Sequence, residues 1–78
     1  MTYEVEAYSP LWYLEGVEPS RANSYDVYYT DWRDGAQCCF TTLGWDRAHA
    51  IAILCYYRPW MSTDANYVVV CTRRGYNA

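Results

Sequence analysis

Apolar and polar positions alternate strictly at the front of the chain. From Thr2 to Tyr8, Tyr3, Val5 and Ala7 fall on one side and Glu4, Glu6 and Tyr8 on the other, the period of a half-buried strand with an acidic outer face. Ser9-Pro10 ends that pattern. Leu11-Trp12-Tyr13-Leu14 is a short apolar run that suits a second, optional strand, and residues 16–23 carry the Gly, Pro, Ser and Asn of a loop. Ser24 to Trp32 gives the clearest alternation, with Tyr25, Val27 and Tyr29 against Asp26, Tyr28 and Thr30. Asp34-Gly35 then supplies the positive backbone angles of a tight hairpin, and Ala36 to Thr42 returns with Cys38, Phe40 and Thr42 on one side.

The period changes over Leu43 to Arg58, which predicts a helix. Thr42 or Gly44 would cap its start, Asp46 and Arg58 suit its two dipole ends, and Pro59 stops it. Trp45, Ala48, Ile51, Ala52 and Cys55 share the face expected to pack on the sheet. Ala50, Ile53 and Tyr57 then fall on the opposite side, near Asp46 and His49, where either the segment around Trp12 or a partner is expected to cover them, the segment being favoured. Asn66 to Arg73, with the run Tyr67-Val68-Val69-Val70-Cys71, predicts a central strand covered on both faces, and residues 74–78 a short tail. The elements make an α+β domain over residues 1–78: an antiparallel sheet of about four strands, one helix across it, in β-β-β-α-β order. One sheet face stays open, with Tyr28, Thr30 and Trp32 expected on it.

Composition changes this picture in two ways. With 78 residues there is material for one core, and neither an 18-residue apolar run nor a basic-then-apolar leader is present, so neither a membrane span nor a secretory signal is expected. The chain has no lysine; six arginines face nine acids for a net charge of −3. Residues 1–20 hold Glu4, Glu6, Glu15 and Glu18 with no base, whereas residues 47–78 hold Arg47, Arg58, Arg73 and Arg74 against Asp64 alone. An acidic front half repels free nucleic acid and favours a basic partner surface. Ten tyrosines and four tryptophans exceed what so small a core can hold, so several rings are expected in a contact surface.

Chemistry leaves fewer marks. Cys38, Cys39, Cys55 and Cys71 contain no Cys-x-x-Cys pair, and Cys38 and Cys39 point to opposite faces of a strand, so free thiols are expected rather than a disulfide or zinc scaffold. His49 is the one histidine and lies well round the helix from Cys55. The glycines do not form a phosphate-cradling loop. Neither catalysis, a cofactor nor a metal is expected. A nucleic-acid or regulatory module built on Arg47, Arg58, Arg73 and Arg74 is the alternative reading, opposed by the negative net charge. Self-association through unpaired strand edges, as in a homodimer, is a further option.

The layout of Ser24–Trp32, Asp34-Gly35, Cys38–Thr42, Ala48-His49-Ala50-Ile51-Ala52 and Tyr67–Cys71 resembles that of small phage and mobile-element proteins, several anti-CRISPR proteins among them. The resemblance covers roughly two-thirds of the chain and lies in layout rather than in a shared motif. It implies a non-catalytic inhibitor in the host cytoplasm that evades host defence by binding a type I CRISPR effector complex, blocking target DNA binding or nuclease recruitment. The residues expected to meet such a partner are Glu4, Glu6, Tyr8, Glu15, Glu18, Asp26, Tyr28, Asp31, Trp32, Asp34 and Tyr57, with the carboxylates standing in for phosphates against a basic groove.

Overall fold

A computed structural model describes Leu11 and residues 14–76. The strand expected over Thr2–Tyr8 lies outside the described residues, as does most of the Leu11–Leu14 run. Leu14 itself stands in a tight turn, its carbonyl accepting from the Val17 N–H at 3.2 Å, rather than in a strand. A short 3-10 turn, Pro19–Arg21, leads into strand β1, Asn23–Asp31. β1 pairs antiparallel with β2, Ala36–Gly44, and on its other side with β3, Val68–Arg73. Helix α1, Arg47–Tyr57, lies between β2 and β3 in the chain and packs on one face of the sheet. The described order is therefore β-β-α-β, with three strands arranged β2-β1-β3.

The alternation in β1 sorts its side chains as the period requires. Tyr25, Val27 and Tyr29 meet Ala50, Ile51 and Leu54 of α1, together with Met61 and Tyr67, in one core. Val27, fully buried, sits opposite Phe40 on one side and Val69 on the other. Cys38, Phe40, Cys55, Trp60 and Val69 pack round the margin. The turn between β1 and β2 holds four residues, Trp32 to Gly35, rather than a two-residue Asp-Gly loop. Only Gly35 takes a positive φ, +74°, and its N–H donates to the Asp31 carbonyl at 2.7 Å.

The helix departs from expectation at its start and in its face. β2 runs on to Gly44 because Thr42, Leu43 and Gly44 continue the ladder with Tyr25, Ser24 and Asn23. Asp46, neither Thr42 nor Gly44, is the cap: its carboxylate accepts from the His49 N–H at 2.8 Å, while His49 Nδ1 accepts from the Trp45 N–H at 3.0 Å. The buried stripe is Ala50, Ile51, Ile53 and Leu54. Of the expected packing face only Ile51 is buried; Ala52 and Cys55 are half-buried, Ala48 is exposed, and Trp45 precedes the helix. Apolar residues run almost right round Ala48–Cys55, so the period barely distinguishes the faces. The stripe with Ile51, Ile53 and Leu54 carries more area than one built on alanines. Ala50 and Ile53 thus belong inside, and the expected cover by Trp12 lies outside the described residues.

β3 is the second correction. Its apolar run predicts a doubly covered centre, but among the described residues it is an edge strand with Val68 and Val70 exposed. The centre belongs to β1, the only strand with described neighbours on both sides. The tail is also more ordered than expected up to Tyr76. Gly75 N–H donates to Asn23 Oδ1 at 2.7 Å, and a side chain at Gly75 would collide with the carbonyls of Arg21 and Ala22. The three guanidinium contacts of Arg73 to the carbonyls of Pro19, Ser20 and Ala22 hold the same junction.

Two substitutions test this frame. Asp46→Ala removes the cap and is expected to lower stability by about 1 kcal/mol in urea denaturation. Gly75→Ala forces the C-terminal strap off the 3-10 turn and is expected to cost about 1–3 kcal/mol by the same measurement.

Candidate functional site

The hairpin turn and the C-terminal end of α1 meet at one end of the molecule. β2 leaves the turn, α1 returns towards it, and residues 58–62 close the gap. Asp31 sits at the junction, buried, with both carboxylate oxygens engaged. Oδ1 accepts from the Arg33 backbone N–H at 3.0 Å and from Arg33 Nε at 3.3 Å. Oδ2 accepts from Arg33 Nη2 at 3.2 Å and from Trp60 Nε1 at 3.2 Å. The guanidinium, held in this two-point grip, lies over the Trp60 ring, 3.6 Å from its centroid. Trp60 in turn offers its carbonyl to Trp32 Nε1 at 2.6 Å. Asp34 completes the turn by accepting from the Ala36 N–H at 3.0 Å.

This network fixes the position of a large exposed ring. Trp32 is 66% exposed, yet its indole N–H is tethered to the connector after the helix. A second aromatic group lies beside the helix end: Tyr57 is tilted against Phe40 at 5.9 Å and meets Tyr56 edge-on at 5.4 Å, while the Arg58 guanidinium stands 5.6 Å from the Phe40 centroid. Tyr56 and Tyr57 are both exposed. Trp, Tyr and Arg together make the composition that dominates interface hot spots.

The residues expected to bind a partner divide into groups. Asp31, Trp32 and Asp34 gather at the hairpin end, while Tyr57 packs on Phe40, halfway along β2. Asp31, however, is buried and committed to Arg33 and Trp60, so it offers no free carboxylate. Asp26 and Tyr28 lie on the open sheet face, where Asp26 accepts from Thr41 Oγ1 at 2.8 Å. The Tyr28 hydroxyl has its pKa raised, first by the charge of a Cys39 thiolate and then by that of Asp26. Thr30 shares that face, but Trp32 stands in the turn and not on the sheet. Glu15 and Glu18 lie beyond the opposite end of β1, about 26 Å from the turn at about 3.3 Å per residue. There Glu18 accepts from the Tyr76 hydroxyl at 3.2 Å. Glu4, Glu6 and Tyr8 lie outside the described residues.

Arg33, Phe40, Tyr56 and Trp60 are site residues that the sequence reading missed. An aromatic ring just past a helix-stopping proline was the available signal for Trp60. Of the four arginines of the nucleic-acid reading, three make contacts with backbone carbonyls of this chain. Arg73 is engaged with backbone carbonyls, Arg47 donates to the Tyr67 carbonyl at 3.4 Å from the start of the helix, and Arg58 lies at its other end. All four cysteines are free, with Cys38 on the core side of β2 and Cys39 on its open face. Among the described residues no group of three His, Cys, Asp or Glu side chains is placed to hold a metal, and no helix is long and apolar enough to cross a membrane.

The clamp has a pH signature. Hydrogen bonds from Arg33, then those from the Arg33 backbone and Trp60, hold the Asp31 carboxyl below the ordinary aspartate range against the opposing effect of burial. A folded-state value below the unfolded one, about 3.9, makes the contribution complete above that pH and removes it as the pH falls through the folded value. Asp31→Asn is expected to be less stable than the parent at neutral pH, with the difference shrinking as the pH drops below about 4. Urea denaturation followed by tryptophan fluorescence at both pH values checks this.

No protein family, no curated protein and no solved structure matches this chain.

Proposed function

We propose that the protein acts by stoichiometric, non-catalytic binding to a protein partner through the hairpin end, with Trp32 as the anchor and the exposed Tyr57 at the helix end as a second ring. The observation that carries this reading is the tether between the exposed Trp32 ring and the Trp60 carbonyl. An exposed indole held in one orientation before contact loses little freedom on binding, which favours affinity. The layout resemblance supplies the partner class: a basic surface of a type I CRISPR effector complex in the host cytoplasm, with inhibition by occupying the site for target DNA or for the nuclease. Asp34 beside the anchor, and Asp26, Glu15 and Glu18 elsewhere on the surface, supply negative charge for such a partner. The finer architecture belongs to the same proposal: a fourth strand over Thr2–Tyr8, ahead of the other three, presenting Glu4, Glu6 and Tyr8 on its outer face.

A reconstituted type I effector with its target duplex tests the proposal. One equivalent of the protein is expected to abolish target binding or nuclease recruitment, without turnover. Trp32→Ala and Tyr57→Ala are each expected to raise the concentration needed by about tenfold or more with the fold intact by circular dichroism. Charge reversal at Asp34 slows association more at low salt than at high salt. Failure to inhibit any type I effector overturns the partner class, and undiminished inhibition by Trp32→Ala overturns the hairpin end as the contact surface.

A further inference from the structure

Arg33 follows Trp32 in the chain, and its side chain is 51% exposed. An exposed arginine beside an anchor reads as a charge that meets the partner directly. Its contacts point inward instead. The buried Asp31 carboxylate accepts from Arg33 three times, at the backbone N–H, Nε and Nη2. Its remaining donor is Trp60 Nε1. The guanidinium lies 3.6 Å from the Trp60 centroid, so Asp31 holds that ring by its edge and Arg33 by its face. The Trp60 carbonyl takes the Trp32 indole N–H at 2.6 Å.

We propose that Arg33 is a positioning residue, which orients the exposed Trp32 ring through Asp31 and Trp60 and does not itself meet the partner. The proposal rests on the reading of Trp32 as the anchor. The charge of Arg33 is already balanced by Asp31, its fork is spent on the carboxylate, and one of its faces is spent on Trp60. Without the two side-chain bonds Asp31 keeps only one backbone N–H and one indole N–H. Those are too few donors to hold a buried charge, so the carboxylate turns to water and releases Trp60. Lysine keeps the charge but offers neither the two-point fork nor a flat group to lie on an indole. Position 33 therefore needs the shape of arginine rather than its charge, and the partner needs no acid opposite it.

Solvent exchange of the Trp32 indole N–H, followed by NMR on the full isotope-labelled chain without a partner, tests the positioning directly. R33K and R33M are each expected to speed it about fivefold or more, with the amides of Val27 and Leu54 unchanged. Arg33 is the charged group that acts on Asp31, and the connector brings the uncharged Trp60. Acidifying the parent is therefore expected to move the Trp60 and Trp32 indole signals together with the Asp31 carboxyl signal, below the ordinary aspartate range. Unchanged exchange in both variants overturns the proposal, as do indole signals that ignore the Asp31 titration; the parent titration decides it if neither variant folds. In the effector assay R33K and R33M are expected to raise the concentration needed by equal factors and to add nothing to Trp32→Ala. Loss in R33M alone, or additivity with Trp32→Ala, makes Arg33 a direct charge contact and overturns the proposal. Undiminished inhibition by Trp32→Ala, or none by the parent, overturns the anchor reading instead, and the exchange experiment still decides whether Arg33 orients the ring.

Discussion

Both buried polar side chains among the described residues lie at the ends of β1, and the rest of the structure is arranged round them. At one end Asn23 donates to the Tyr25 hydroxyl at 2.9 Å and to the Trp45 carbonyl at 3.1 Å, and accepts from the Gly75 N–H. At the other end Asp31 holds Arg33 and Trp60. A buried amide or carboxylate left without partners costs more than a paired one returns, so each site imposes its geometry on whatever reaches it. Asn23 thereby gathers the junction before the helix and the C-terminal strap. Asp31 gathers the hairpin turn and the connector after the helix. Between them β1 contributes the apolar alternation that α1 covers.

That arrangement explains why the hairpin end presents an exposed ring with Asp34 as its one exposed carboxylate among residues 31–35. Asp31, the last residue of β1, is drawn inside, where it neutralises Arg33 and lays the guanidinium on Trp60. Trp60 gives its ring to Arg33 and its carbonyl to Trp32. The indole is exposed because its tether is structural. The lopsided charge of the sequence is similarly softened: Glu18 is engaged by Tyr76, Asp26 by Thr41 and Asp46 by the helix start.

The parts legible in the sequence were those governed by local period and turn chemistry. The β1–β2 hairpin follows from strict alternation and a glycine where a positive φ is needed, and the helix follows from a change of period stopped by Pro59. Legibility ended where a side chain's role depends on a distant residue. Asp31 looks like any aspartate before a turn; its clamp requires Trp60, 29 residues away. The helix face was misassigned because Ala48 to Cys55 is apolar nearly all round, so only the sheet decides which stripe is covered. β3 reads as a central strand because an apolar run has the same pattern whether a second layer covers it or not. The excess of rings correctly indicated that some stand outside, without indicating that Trp32 is the one held there.

A single helix over a three-stranded sheet leaves two kinds of surface, and the chain treats them differently. The hairpin end is organised by polar contacts that fix exposed rings in place, as expected for a surface that meets a different molecule with a defined shape. The β3 edge has no such organisation: from Val68 to Thr72 its side chains are uncharged, and Val68 and Val70 stand exposed. The two surfaces are physically separable for that reason, one specified by side-chain geometry and the other by an uncharged run along the strand.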